Sequence, residues 1–204
     1  MECSHQTLER GVRMEPISEV AELFRHQRAV RAFSDREVSD EIVEQVLTAA
    51  THGPSGSNTQ PWRWIVVRDA DVKAQVSEEY EAAFAAAYAD RAPARADDRQ
   101  PFTEVPVLIV ACVQVPSTGR AGIQTGASIY PACQNLMLQA RALGLGSVLT
   151  TLHRVKRAKI HEILGIPEGW DTAAIIPLGW PDRSYGPNRR PPISEVVMRD
   201  RCSE

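Results

Sequence analysis

The groups best suited to chemistry in this sequence are arginines and one polar loop, not a nucleophile with its base. Arg28 and Arg31 lie three residues apart, a spacing that puts both guanidiniums on one side of a helical or turn-like segment. Arg189 and Arg190 stand far downstream, ahead of Pro191 and Pro192. A guanidinium grips phosphate in a bidentate, shape-specific way, so convergence of these arginines would make a phosphate pocket. The loop, residues 51–64, places Gly53, Pro54, Ser55, Gly56, Ser57 and Asn58 directly ahead of Gln60, Pro61 and Trp62. A surface turn before a strand does not need that much polar and conformationally special sequence.

Other chemistries fit poorly. Gly53 to Ser57 resembles a nucleophile elbow, but Ser57 stands where that motif needs its last glycine. The surrounding order is also helix, loop, strand instead of strand, turn, helix. Gly144 and Gly146 close a helix and lack the third glycine of a dinucleotide fingerprint. No phosphate-binding GxxxxGK[ST] occurs, and the histidines show no metal spacing; His161 and Glu162 lack the second histidine of HExxH. His153 reads as a loop residue and His161 as a solvated helix residue. Arg154, Lys156, Arg157 and Lys159 read as a solvated helix face, because a net charge of −3 argues against a nucleic-acid surface. The spread of Cys3, Cys112, Cys133 and Cys202 predicts free thiols. The start of the chain lacks a signal-peptide pattern, and the apolar run Val105 to Val113 is too short to cross a bilayer as a helix. A cytoplasmic protein with no membrane and no metal is the expectation.

The elements that must position these groups follow from periodicity. A first helix is expected over 18–26, capped by Ser18, with Val20, Leu23 and Phe24 on one face. A second runs from about Ser39 to Ala50, with Ile42, Val46, Leu47 and Ala50 as its stripe. The irregular segment 27–33 joins them. Strands are expected over 64–67, 107–113, 147–151 and 172–178. Helices are expected over about 72–89, over 125–143 with Pro131 inside, and over 154–164. Gly144 is placed to end the long helix, residues 90–104 form an excursion, and 183–192 is an extended tail. Nothing demands a second domain, and the class is α+β.

Four segments in this order resemble the FMN-dependent nitroreductase superfamily over nearly the whole chain. They are Gln27 to Phe33; Gly53 to Trp62; Gly144 to Thr151; and Leu164 to Pro167 followed by a strand ending at Gly179. Gln27 and Ala29 stand where that family has an arginine and a serine. The resemblance implies one FMN-binding domain over 1–204, with about 90–122 as a variable excursion. It also implies a central, mostly antiparallel sheet flanked by helices, and an intertwined homodimer with FMN at the interface.

By the same resemblance, Gln27, Arg28, Ala29 and Arg31 approach the flavin, with Arg31 near N1 and O2. Pro54, Ser55, Gly56 and Asn58 come from the opposite subunit. Leu149, Thr150 and Thr151 pass the N5 edge, where Thr151 offers a hydrogen bond, and Arg190 neutralises the phosphate. No side chain need act as acid or base. The implied reaction is ping-pong hydride transfer from NADH or NADPH, through the flavin, to a nitroaromatic, quinone or enone acceptor. The alternatives keep the flavin and change the reaction: reductive dehalogenation, which the Thr150 and Thr151 pair resembles, azoline dehydrogenation, flavin cleavage, or storage without turnover. Phe84, Tyr88 and Phe102 are candidates to cap the flavin, and Arg91, Arg95, Arg99 and Arg120 to meet a 2′-phosphate. Trp62 and Trp64 read as core residues.

Overall fold

The run from Val107 to Val113 is apolar at every position, which suits a strand covered on both faces rather than an alternating one. In the computed structural model, which describes residues 16–89, 99–116 and 122–202, this run is the inner strand β2, Val107–Gln114. It pairs antiparallel with β1, Trp62–Val67, on one side and β4, Trp170–Gly179, on the other. The two-residue β3, Gly146–Ser147, closes the order β1-β2-β4-β3. Val107, Ile109, Ala111 and Val113 face one core, and Leu108, Val110 and Cys112 face the other. The register slips between Ala111 and Cys112, leaving Ala173 of β4 without an opposite residue.

The first core is roofed by α2, Asp40–Thr51, and α4, Ile123–Ala142. Ile129, Cys133, Leu136, Met137 and Ala140 recur at helical spacing along the inner face of α4. Pro131 lies within α4, so Ala127 has no helical donor from that position. The helix ends as its glycine predicts. Gly144 takes φ +88°, its N–H donates to the Arg141 carbonyl at 3.0 Å, and the Leu145 N–H donates to Ala140 at 2.9 Å. The second core is covered by α3, Ala70–Tyr88, and α5, Arg157–Leu164.

Several expectations change in detail. The first helix, α1, is Val20–His26 and is capped by Glu19, not Ser18. Its Val20 and Phe24 are 59% and 56% exposed, so among the described residues the apolar face seen in the sequence is covered only at the half-buried Leu23. Ser39 occupies the cap position of α2 without a side-chain hydrogen bond. The strand expected over 147–151 is shorter: after β3 only Thr150 pairs, as a lone bridge to Ile175. The helix expected from 154 begins at Arg157, after a 3-10 turn over Leu152–Lys156. Residues 90–98 and 117–121, with Arg91, Arg95 and Arg120, lie outside the described residues, as does Cys3. Among the described residues no helix is long and apolar enough to cross a membrane, and no group of metal-ligating side chains is present.

Candidate functional site

Residues 27–33 form an extended strap, not a helical turn. Ala29 bridges in parallel to Ser147, Phe33 bridges antiparallel to Pro181, and the Val30 N–H donates to the Ser147 carbonyl at 3.0 Å. Side chains three apart on an extended segment point to opposite sides, so Arg28 and Arg31 diverge. Arg28 turns to the tail, where its guanidinium donates to the Gly186 carbonyl at 3.4 Å and lies 5.6 Å from the centre of the Tyr185 ring. Arg31 faces α3, close enough for its charge to act on the Tyr80 hydroxyl. The strap is packed tightly onto β3, because a Cβ on Gly146 would sit 2.6 Å from Val30 Cγ1.

Under this strap lies a small cavity lined by Gln27, Arg28, Arg141, Ser147 and Tyr185 among others, with no carboxylate among the described residues of its wall. Arg141 comes from the last turn of α4 and is buried, and that burial lowers its pKa. Among the described residues the Gln27 amide reaches a sulfur, Met137 Sδ at 3.8 Å. Two guanidiniums, an amide and a hydroxyl are donors that suit an anion. The space they enclose, about 10 Å³, is that of a single water, so a phosphate would need the strap or the tail to move outward.

The polar loop stands elsewhere on α4. A Cβ on Gly53 would lie 2.8 Å from Ala132 Cα, and the Gly56 N–H donates to Ser128 Oγ at 3.3 Å. Nine residues of helix separate Ala132 from Arg141, which is about 14 Å. Beyond Gly53 the loop is held by its own polar groups. The Asn58 N–H donates to the Ser55 carbonyl and the Gln60 N–H to Ser55 Oγ, both at 3.0 Å. Ser57, Asn58 and Gln60 take φ of +50°, +55° and +49°, a left-handed region that non-glycine residues enter at a cost. A Cβ on Gly56 would meet nothing within 4 Å. The two glycines therefore differ: Gly53 is small to let α4 approach, and Gly56 faces open space between the half-buried Ser55 and the exposed Ser57 and Asn58.

The third segment is fixed by β4. Thr150 exchanges both backbone hydrogen bonds with Ile175, at 3.0 and 2.9 Å, and its hydroxyl lies 2.8 Å from the Tyr80 hydroxyl. Leu149 packs on the first core, while Thr151 is exposed at the start of the 3-10 turn. Burial pushes the Tyr80 phenol up, against the Thr150 hydrogen bond and the charges of Arg99 and Arg31. Phe102 is buried against Tyr80 with ring centres 4.4 Å apart, and Phe84 pairs with Tyr88 at 4.6 Å. Arg99 is bound to Glu81. Arg190 is exposed, and its guanidinium donates to the Arg189 carbonyl at 2.8 Å. Trp62 and Trp64 pack against the first core.

The structure thus brings Gln27, Arg28 and Ala29 together with β3, and sets Pro54, Ser55, Gly56 and Asn58 apart from them. It adds Tyr80, Arg141, Ser147 and Tyr185, which sequence reasoning missed. Tyr80 carried a readable signal: it lies four residues before Phe84, on the same helical face.

The histidines change most. His153 is fully buried, with Nε2 3.1 Å from Thr172 Oγ1, and His161 Nε2 lies 3.1 Å from Asp171 Oδ1. His153 does stand outside the regular helix, in the 3-10 turn, but is buried there, and His161 is not the solvated residue expected. Arg154 and Arg157 also contact Asp171, at 3.4 and 2.9 Å, instead of forming a free basic face. Burial, with the Arg154 charge, pushes His153 down to about 4. Its folded pKa lies below its unfolded value of 6.5, so its contribution is complete above about pH 6.5. As the pH falls from there toward 4, the unfolded chain takes up a proton that the folded chain refuses. The loss should reach about 3 kcal/mol near pH 4. Urea unfolding at a series of pH values reads this directly, and a His153→Gln protein should lose most of that slope. An unchanged slope in that variant would refute the assignment.

Comparison with known proteins identifies the family. The model of the Nitroreductase family matches residues 24–180. A protein of Archaeoglobus fulgidus, provisionally named NADH dehydrogenase/NAD(P)H nitroreductase, is 33% identical over 157 residues, covering 76% of this chain and 81% of that protein. The iodotyrosine deiodinase of Haliscomenobacter hydrossis is 29% identical, covering 84% of this chain and 86% of its own. Among solved structures, an oxidised iodotyrosine deiodinase bound to FMN and 3-iodo-L-tyrosine superposes with a TM-score of 0.73 at 24% identity, over 91% of this chain and all of that one.

Proposed function

The chain belongs to the nitroreductase family of flavoprotein oxidoreductases, and on that premise we propose that it binds FMN as a homodimer and passes hydride from NADH or NADPH to a small oxidised acceptor. The observation that supports this reading is the gathering of Arg28, Gln27 and Ser147 around one cavity, built where the motif-bearing strap crosses β3. Bound FMN would supply the redox chemistry itself. The chain's part is to hold and orient it. Arg28 and Gln27 take the phosphate end with Arg190, and Gln27 contributes hydrogen bonds without charge. Arg31, on the other side of the strap, stands toward the ring, where a fixed cation favours the reduced form. Thr151, exposed beside the anchored Thr150, is placed to donate a hydrogen bond near N5.

The second copy enters because one chain leaves its polar loop about 14 Å along α4 from the cavity. Pro54, Ser55, Gly56 and Asn58 of one subunit would complete the site of the other. Phe24, at 56% exposed, and Ile123, at 91%, offer apolar surface for that contact.

The test is an absorbance spectrum of the purified protein, followed by anaerobic titration with each nucleotide and a panel of acceptors. A yellow protein bleached by NADH or NADPH, and recoloured by a nitroaromatic, quinone or enone, is the expected result. A flavin that stays oxidised in excess nucleotide excludes the NAD(P)H step. A second reading, reductive dehalogenation on the same flavin, is favoured by the Thr150 and Thr151 hydroxyls and by the deiodinase relatives. Halogenated tyrosines in the acceptor panel distinguish it.

A further inference from the structure

On the flavin reading above, we propose that Asn188 is a positioning residue for the phosphate end of the site: it straps the C-terminal tail to the end of α1 and so fixes where Arg28 points. The last carbonyls of a helix have no partner within it. Asn188 supplies partners for α1 from 160 residues away in sequence. Its Nδ2 donates to the Phe24 carbonyl at 2.8 Å and to the Gln27 carbonyl at 3.1 Å, and its backbone N–H donates to the Arg25 carbonyl at 2.7 Å. Only a side chain with two N–H groups on one nitrogen makes the first pair. An aspartate there would face two carbonyl oxygens with no proton to offer.

The strap fixes more than a helix end. From Gly179 the tail runs beside the segment 29–34: the Ser34 N–H donates to the Trp180 carbonyl at 2.8 Å, and the Asp182 N–H to Ala32 at 3.3 Å. Between that anchor and Asn188 stand Tyr185 and Gly186, the two residues that meet Arg28. Arg28 and Tyr185 both line the cavity, and Arg190 follows two residues after Asn188. With both ends of this short span tied, the Arg28 guanidinium has a fixed support. With Asn188 cut, Tyr185 and Gly186 are held at one end only, and the cavity loses a wall.

The consequence is specific to the phosphate, and riboflavin, which lacks it, is the control. Asn188→Ala should weaken FMN binding about tenfold, the effect of losing two ordinary hydrogen bonds, and leave riboflavin binding unchanged. Asn188→Asp should weaken FMN at least as much although it preserves size. In an Arg28→Ala background, Asn188→Ala should add little, because the residue it positions is gone. Asn188 is only half-buried, at the end of a seven-residue helix, so both variants should fold; thermal unfolding checks this. Parallel loss of FMN and riboflavin would show a merely structural role and overturn the proposal, as would unchanged FMN affinity. A wild-type protein that takes up neither flavin would instead overturn the flavin reading on which the proposal rests.

Discussion

Gly53→Ala should destabilise the protein by about 2 kcal/mol and weaken FMN binding with it. The added Cβ would stand 2.8 Å from Ala132 Cα and 2.9 Å from Ala132 Cβ and N. These atoms belong to the backbone and first side-chain carbon of a helix, so no flexible side chain can swing aside. Either α4 or the end of α2 must move. Ala132 and Cys133 are fully buried and Ile129 nearly so, so shifting α4 disturbs the first core. Alanine also restricts the unfolded chain more than glycine, which offsets under about 1 kcal/mol of the cost. The loop beyond Gly53 is carried with it, through the hydrogen bond from Gly56 to Ser128. Urea unfolding and an FMN titration read the two effects. Gly56→Ala is the control: it has space around it, so its stability should change little while FMN affinity falls if this face meets the ring. A Gly53→Ala protein as stable as the parent would show that the contact with α4 is not a tight one.

The residues that sequence made legible are those whose environment is set by near neighbours. The unbroken apolar run of β2 declared a strand buried on both faces, and Gly144 declared the end of α4 through the left-handed geometry it takes. The loop 51–64 could be singled out because its residue types are unusual for a turn, and three of them do occupy left-handed backbone. What failed depends on distant partners. His153 sits beside Arg154 in a basic run and reads as an ordinary loop residue; its burial goes with Thr172, nineteen residues on in β4. Arg28 and Arg31 read as one-sided only while their segment is taken as helical, and the pairing with Ser147 and Pro181 makes it extended. Asn188 carries no local signal at all, since a lone asparagine in an Arg- and Pro-rich tail looks like any turn residue. The face of α1 reads as apolar, and Val20 and Phe24 on it are left exposed by the described residues.

Asp171→Ala should cost about 3 kcal/mol, and through α5 it reaches the same site. Asp171 is 5% exposed at the start of β4 and accepts from four groups: Thr172 N–H at 2.8 Å, Arg157 Nε at 2.9 Å, His161 Nε2 at 3.1 Å and Arg154 at 3.4 Å. The two arginines, 39% and 48% exposed, can be hydrated again, so the lost ion pairs themselves contribute little. The larger cost lies in the buried Thr172 N–H, which would lose this acceptor, and in the His161 ring, which would keep only the weaker contact with Thr172 Oγ1 at 3.5 Å. For a chain of this length, about 3 kcal/mol corresponds to a fall in Tm of roughly 6–12 °C. Asp171→Asn keeps an acceptor for Thr172 and should fall between. Burial raises the carboxyl, but the Arg157 hydrogen bond and the charges of Arg154 and Arg157 outweigh it and leave Asp171 below its usual 3.8. Its contribution is therefore full above about pH 4 and is lost as the pH falls through the lower folded value, below the range in which His153 acts. The variant should keep the His153 slope and lose the more acidic one. Arg154 also donates to the Thr172 carbonyl at 2.6 Å, so the 3-10 turn that begins after Thr151 is pinned to β4 by this cluster. Loosening it should free Thr151 while Thr150, held by Ile175 and Tyr80, stays in place. The redox potential of bound FMN should then shift with little change in FMN affinity. A variant with parent-like Tm and an unchanged potential would show that the cluster anchors neither the fold nor the Thr151 turn.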